Sequence, residues 1–158
     1  MILLNYMLRK SKNNQLIIRE YQSADYQELM ILWEKTGFNT PGRGDDENII
    51  ENTISVGGKL FILFDKKNEC IIGSSWITND GRRLYLHHFG IHPEYQSKGL
   101  SKLLLSKSLA FAKELNLQIK LEVHKDNIIA KSLYQKADFA YLGDYEVYII
   151  RDISSIKL

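Results

Sequence analysis

The sequence predicts a single α/β domain of the α+β kind, in which four helices pack on a mixed, mostly antiparallel central sheet of about seven strands. Three observations lead there. The chain has 158 residues, room for one domain with a sizeable core but cramped for two. Its middle carries three apolar runs joined by short polar turns, the pattern of an antiparallel meander. Later, two helical patterns each lie between apolar runs, and such crossovers favour parallel pairing of the strands they join.

The first strand is Leu16-Ile17-Ile18-Arg19-Glu20, a short β-branched run. Ser23 offers an N-cap, and Leu29, Leu32, Trp33 and Thr36 follow at helical spacing until Gly37 stops them. The turn-rich stretch from Phe38 to Gly44 is a loop, after which Asp45 or Asp46 caps a second helix carrying Ile49, Ile50, Thr53 and Ile54 on one face. Gly57-Gly58 breaks that helix. Lys59 to Phe64 and Cys70 to Thr78 form a hairpin about a polar turn, and the Asp80-Gly81 turn signal continues the meander into Leu84 to Ile91. The next helix places Leu100, Leu103, Leu104, Phe111, Ala112 and Leu115 on one stripe and stops at Asn116. Ile119 to His124 is a strand, Asp126 or Asn127 caps a fourth helix, and Phe139 to Leu142 and Tyr145 to Ile150 are the last two strands. The domain spans residues 16–152, with an N-terminal arm over 1–15 and a C-terminal tail over 153–158. The arm is either an addition or the product of a start placed too early, with Met7 as the rival.

Composition excludes several function classes. A net charge of +2 is too small to argue for a nucleic-acid partner. No apolar run approaches the roughly 18 residues of a membrane span, and the positive charges at Arg9, Lys10 and Lys12 follow the apolar opening instead of preceding it, unlike a secretory signal. The one cysteine, Cys70, lies in an apolar run and fits a buried thiol in a reducing cytoplasm. His87, His88, His92 and His124 form no chelating spacing, so no metal is expected.

The chemistry concentrates between Leu84 and Leu115. A strand that turns at His92-Pro93 and enters a helix through Gln96-Ser97-Lys98-Gly99-Leu100-Ser101 makes an anion site, because the first N–H groups of a helix lack intrahelical acceptors and its dipole favours negative charge there. Gly99 keeps a Cβ out of the way of a phosphate, and Lys98 adds positive charge. A kinase-like phosphate loop is disfavoured, since no Gly-Lys-Ser/Thr sequence and no acidic pair suited to magnesium occurs.

This turn resembles the Gln/Arg-x-x-Gly-x-Gly/Ala turn of the GNAT superfamily of acyl-CoA-dependent N-acetyltransferases in its first and fourth positions, while Ser101, though still small, departs from the usual Gly/Ala of the last. Asn127-x-x-Ala130-x-x-Leu133-Tyr134, followed by Phe139, is similar to a second family segment, in which Asp138 here replaces a customary Gly. The resemblance, which also covers the element order after residue 15, implies a sheet splayed between its fourth and fifth strands and acetyl-CoA as cosubstrate. It implies that Gln96, Ser97, Lys98, Gly99, Leu100 and Ser101 hold the diphosphate, that the backbone of Phe89, Gly90 and Ile91 meets the pantetheine arm, and that Asn127 supports the same site. Tyr134 stands at the family's acid position; packing is its alternative role, as helix capping is for Asn127.

For the base, the resemblance favours His87, with His88, Glu122 and a water chain as rivals. Strict alternation puts His87 and His88 on opposite faces and groups Tyr85, His87, Phe89 and Ile91 on one, unless a bulge shifts the count. By the same resemblance, Thr40 to Asp46 and Tyr141, Tyr145 and Tyr148 line the site of the acceptor, a small-molecule or peptide amine. A homodimer through the last hairpin is the expected assembly. The alternative function is a non-catalytic acyl-CoA-binding sensor or interaction module of the same fold.

Overall fold

The structure, a computed structural model, describes residues 15–39, 44–143 and 146–156. The arm before Gln15, the tail after Ile156, and Thr40, Pro41, Gly42, Arg43, Asp144 and Tyr145 lie outside the described residues. In chain order the elements are β1 (Leu16–Glu20), α1 (Tyr26–Thr36), α2 (Glu47–Ser55), β2 (Lys59–Asp65), β3 (Cys70–Asn79), β4 (Arg83–Ile91), α3 (Leu100–Leu115), β5 (Gln118–Leu121) and α4 (Ile128–Gln135). Single 3₁₀ turns occur at Ser23–Asp25, Pro93–Tyr95 and Ile153–Ser155.

The strands form one sheet in the order β1-β2-β3-β4-β5. Its first three pairings are antiparallel and β4–β5 is parallel, so the mixed sheet and the four helices are as expected. The strand count is not: there are five among the described residues, not about seven. Phe139 to Leu142 and the described part of Tyr145 to Ile150 join no ladder, and Tyr141, Leu142, Val147, Tyr148, Ile149 and Ile150 stand exposed. Their β-branched and aromatic residues supply strand propensity, which counts only where a neighbouring strand and a buried face are available. The nearest candidate, β5, has four residues and stops at Leu121, short of the expected His124, and left-handed Asp138 (φ 63°) turns the chain away after α4.

Local chemistry sets the helix ends. Asp46 caps α2, its Oδ1 accepting from the Ile49 N–H at 2.9 Å, while Gly37 (φ 75°) and Asn116 (φ 54°) end α1 and α3 in the left-handed region. Ser23 is not the cap expected of it: its hydroxyl donates to Glu51 Oε1 at 2.6 Å. Asp25 instead accepts from the Gln22 N–H at 2.8 Å and forms a two-pronged ion pair with Arg19 at 2.6 and 2.7 Å. Burial pushes the Asp25 carboxyl up, but these bonds outweigh it and hold it below the usual carboxylate range.

Each face of the sheet has its own core. Leu100, Leu104, Leu105, Phe111 and Ala112 of α3 and Tyr134 of α4 cover Phe61, Leu63, Ile72, Ile77, Leu84, Leu86 and Ile91. Leu29, Leu32 and Trp33 of α1 and Ile50 of α2 cover Leu60, Ile62, Ile71 and Trp76. Each fully buried large apolar side chain contributes about 1.5–3 kcal/mol, which makes these two layers the main source of stability.

One irregularity decides which side chains of β4 reach which core. The β3–β4 register runs Ser74↔Gly90 and then Trp76↔His87, so Ser75 alone opposes both His88 and Phe89. His88 takes the strain of this bulge with φ 38°, in the left-handed region. The face count of the sequence analysis is thereby corrected. Leu84, Leu86, Phe89 and Ile91 join the α3 core, whereas His87 and His88 both turn to the other face, each meeting Trp76, and Gly90 lies under Phe38.

Candidate functional site

β4 and β5 pair only from Arg83↔Gln118 to Leu86↔Leu121. Beyond that β5 has ended, and β4 keeps β3 as its ladder partner on one side. The sheet therefore parts between its fourth and fifth strands, as expected. The His92 N–H donates to the Ile72 carbonyl at 2.8 Å, so backbone alternation turns the N–H and C=O of Ile91, and with them those of Phe89, to the open side. The Ile91 carbonyl is occupied there by the Gln96 side chain, whose Nε2 donates to it at 3.0 Å. Gln96 thus closes the turn that follows β4.

That turn leads directly into α3. Pro93 opens its 3₁₀ segment and His92 Nδ1 accepts from the Glu94 N–H at 3.3 Å. Ser97 (φ 60°) and Gly99 (φ 76°) are both left-handed. A Cβ on Gly99 would meet nothing within 4 Å, so the turn needs glycine there for its backbone angle. Gly99 is also the N-cap of α3 and offers no side-chain acceptor, and the first turn of the helix holds no acidic residue. The leading N–H groups of Leu100 and Ser101 are left to face an anion. Lys98 stands beside them, its Nζ donating to the Glu94 carbonyl at 3.0 Å.

On the α3 side of the cleft, the Tyr134 ring meets Phe89 edge-on at 6.1 Å and Phe139 at 5.7 Å. Burial alone pushes its hydroxyl up to about 12. Asn127 performs the cap role, its Oδ1 accepting from the Ala130 N–H at 3.1 Å and so fixing the start of the helix that carries Tyr134.

The histidines sit across the sheet from Tyr134. His87 is partly exposed, with Nε2 at 2.9 Å from Thr78 Oγ1 and its ring 4.0 Å from that of Tyr85. His88 is buried among Trp33, Phe38 and Trp76, with ring centroids at 4.3, 5.3 and 5.2 Å. Its Nε2 lies 3.1 Å from Asp45 Oδ2, and its carbonyl accepts from Ser74 Oγ at 3.0 Å, which in turn accepts from Trp33 Nε1 at 2.9 Å. This aromatic and acidic surround escaped sequence reasoning, because only the bulge brings His88 to Trp33 and Asp45. Glu122 is exposed just past the end of β5, and Tyr141 and Tyr148 are exposed on the C-terminal segment that joins no ladder. Tyr145 and Arg43 lie outside the described residues. Among the described residues no group of three or more His, Cys, Asp or Glu is placed to hold a metal, and no helix is long and apolar enough to cross a membrane.

Comparison with known proteins agrees with this geometry. Residues 17–139 match the model of the acetyltransferase (GNAT) family. The chain is 29% identical over 126 residues to an acetyltransferase of Yersinia pestis, covering 77% of this chain and 86% of that protein, and is as similar to an acetyltransferase of Sodalis glossinidius. Among solved structures, a GNAT-family acetyltransferase of Staphylococcus aureus superposes with a TM-score of 0.66 at 25% identity, over 77% of this chain and 81% of that one. A predicted acetyltransferase of Clostridium acetobutylicum, solved with acetyl-CoA, shares the fold with a TM-score of 0.68 at 18% identity, over 85% of this chain and 96% of that one. With the parted β4–β5 pair and the turn into α3 in place, the family match over most of its length makes this chain a member of the GNAT acetyltransferase family.

Proposed function

We propose that the protein is an N-acetyltransferase that moves acetyl from acetyl-CoA to a primary amine by direct attack in a ternary complex. The observation that supports this most is the position of the Tyr134 ring against Phe89, a residue of the β4 end that β5 leaves unpaired. The uncapped N–H groups of Leu100 and Ser101, with Lys98, receive the diphosphate. The open edge at Phe89 and Ile91 receives the pantetheine amides, Gly90 between them turns its own N–H and C=O to β3, and Gln96, Ser97 and Gly99 hold the shape of the turn between these two contacts. Asn127 acts through its cap, which sets the helix of Tyr134.

In the reaction a neutral amine attacks the thioester carbonyl carbon, and the developing oxyanion is stabilised by the Ile91 N–H. Collapse of the intermediate breaks the carbon–sulfur bond and releases the thiolate. With its hydroxyl raised to about 12, Tyr134 stays protonated at neutral pH. An alkyl thiol titrates near about 8.5, so the phenol serves the thiolate chiefly as a hydrogen-bond donor, and the final proton arrives from solvent. The ammonium proton passes to His87, the partly exposed histidine of the pair, directly or through water. The acceptor is a small-molecule or peptide amine, the compartment is the cytoplasm, and the free edge of β5 with the exposed C-terminal segment is the element for a homodimer.

The test is thiol release from acetyl-CoA in the presence of polyamines, amino acids, aminoglycosides, arylalkylamines and peptide N-termini. Amine-dependent CoA release is expected. Acetyl-CoA binding with no release across the panel would move the protein to the sensor reading, and no binding at all would sink both.

A further inference from the structure

Asp65, at the end of β2, is a carboxylate only 5% exposed in a hairpin turn that could close without burying one. Its Oδ1 accepts from the Lys67 N–H at 2.9 Å and the Asn68 N–H at 3.4 Å. Its Oδ2 accepts from Asn68 Nδ2 at 2.8 Å and, from outside the turn, from the Tyr95 hydroxyl at 3.1 Å. Asn68 Nδ2 also donates to the Tyr95 hydroxyl oxygen at 2.9 Å. Burial pushes the Asp65 carboxyl up, and the backbone, Asn68 and Tyr95 donors together bring it below its ordinary value, so the group is ionised at neutral pH.

Tyr95 adjoins Gln96 at the start of the turn into α3. Lys98 Nζ lies over its ring, 4.8 Å from the centroid. A phenol that donates to a carboxylate gains electron density in its ring, which strengthens the hold of that ring on an ammonium. An ammonium has three N–H donors, and the Glu94 carbonyl uses one. Lys98 is thus held by a chain that begins on a different hairpin, with donors left for a second acceptor.

We infer that Tyr95 is a positioning residue: fastened to buried Asp65, it holds Lys98 where the diphosphate of the cosubstrate binds. The inference rests on the acetyl-CoA reading above. Tyr95→Phe keeps the ring beneath Lys98 and removes only the hydroxyl, and Asp65→Asn removes the charge while keeping the shape. Calorimetry with CoA and kinetics with acetyl-pantetheine, which lacks the diphosphate, separate the possibilities. Tyr95→Phe should weaken CoA binding about ten-fold while leaving kcat/KM for acetyl-pantetheine within two-fold, and adding Lys98→Ala should cost less than it does in the parent protein. Asp65→Asn, read the same way, supplies the answer if Tyr95→Phe unfolds. Equal losses with both cosubstrates, or additive losses in the double variant, would overturn the positioning role. Failure of the parent protein to bind CoA overturns the acetyl-CoA reading itself, and the inference with it.

Discussion

His88 Nε2 and Asp45 Oδ2 approach to 3.1 Å, joining the bulge of β4 to the segment that leads into α2. The His88 side chain is 2% exposed and that of Asp45 23%. The left-handed backbone of His88 costs about 1–2 kcal/mol for a residue with a Cβ, and such strain persists where the surroundings over-determine it. Here the ring lies among Trp33, Phe38 and Trp76 while Ser74 fixes the carbonyl.

His88→Ala should therefore destabilise the protein by about 2 kcal/mol, or about 4–8 °C in Tm, because the packing is lost while alanine, with its own Cβ, keeps the strain. His88→Asn, which tolerates the left-handed region, should lose less. Asp45→Asn should raise the acceptor KM while leaving the acetyl-CoA KM within about two-fold. Thermal denaturation and two-substrate kinetics check both, and a His88→Ala as stable as the parent protein would show that the packing of the ring contributes nothing.

Tyr134→Phe removes a hydroxyl whose raised value has burial as its one cause. Stability should stay within about 0.5 kcal/mol. Turnover should fall about 10²-fold with acetyl-CoA affinity nearly intact. Equal losses of turnover and affinity, measured by steady-state kinetics and calorimetry, would remove Tyr134 from its proposed role.

At Gly99 an added Cβ finds open space but a disallowed angle. Gly99→Ala should cost about 1 kcal/mol and raise the acetyl-CoA KM by distorting the turn. Gly90→Ala has the opposite cause, because its Cβ would stand 2.6 Å from Phe38 Cε2. Its effect should appear in acceptor kinetics, through the displaced ring. Identical kinetic profiles for the two variants would contradict this division.

Both Asp25 and Asp65 hold their protons less tightly than free carboxyls do. Their stabilisation is fully present above the unfolded carboxyl value of about 3.9 and is lost as pH falls through their lower folded values. The Tm difference between the parent protein and Asp65→Asn should hold from neutrality to about pH 5 and narrow below about pH 4. A difference unchanged down to pH 2 would mean that Asp65 is not ionised in the folded protein.

Much of this was legible in the sequence because it rests on local patterns. Gly37, Asp46 and Asn127 each act within one turn of their own element and stand where their residue types predict, and the α3 stripe holds for Leu100, Leu104, Phe111 and Ala112, whereas Leu115 is exposed and Leu105 joins the core unpredicted. The parting of β4 and β5 was legible only through family resemblance. What escaped depended on distant partners. Asp65 and Tyr95 are thirty residues apart, Ser23 was diverted by Glu51 on another helix, and the last two runs had strand composition without a strand to pair with.

The bulge opposite Ser75 also divides β4 by parity. Up to Leu86 even-numbered residues serve the α3 core, and from Phe89 onward odd-numbered ones do. An alanine scan along β4 would therefore alternate between two phenotypes, break step once between His87 and Phe89, and resume out of phase. Deleting His88 would restore regular alternation and leave Phe89 and Ile91 facing α3, whereas flattening the bulge with every residue kept would turn them toward α1 and α2.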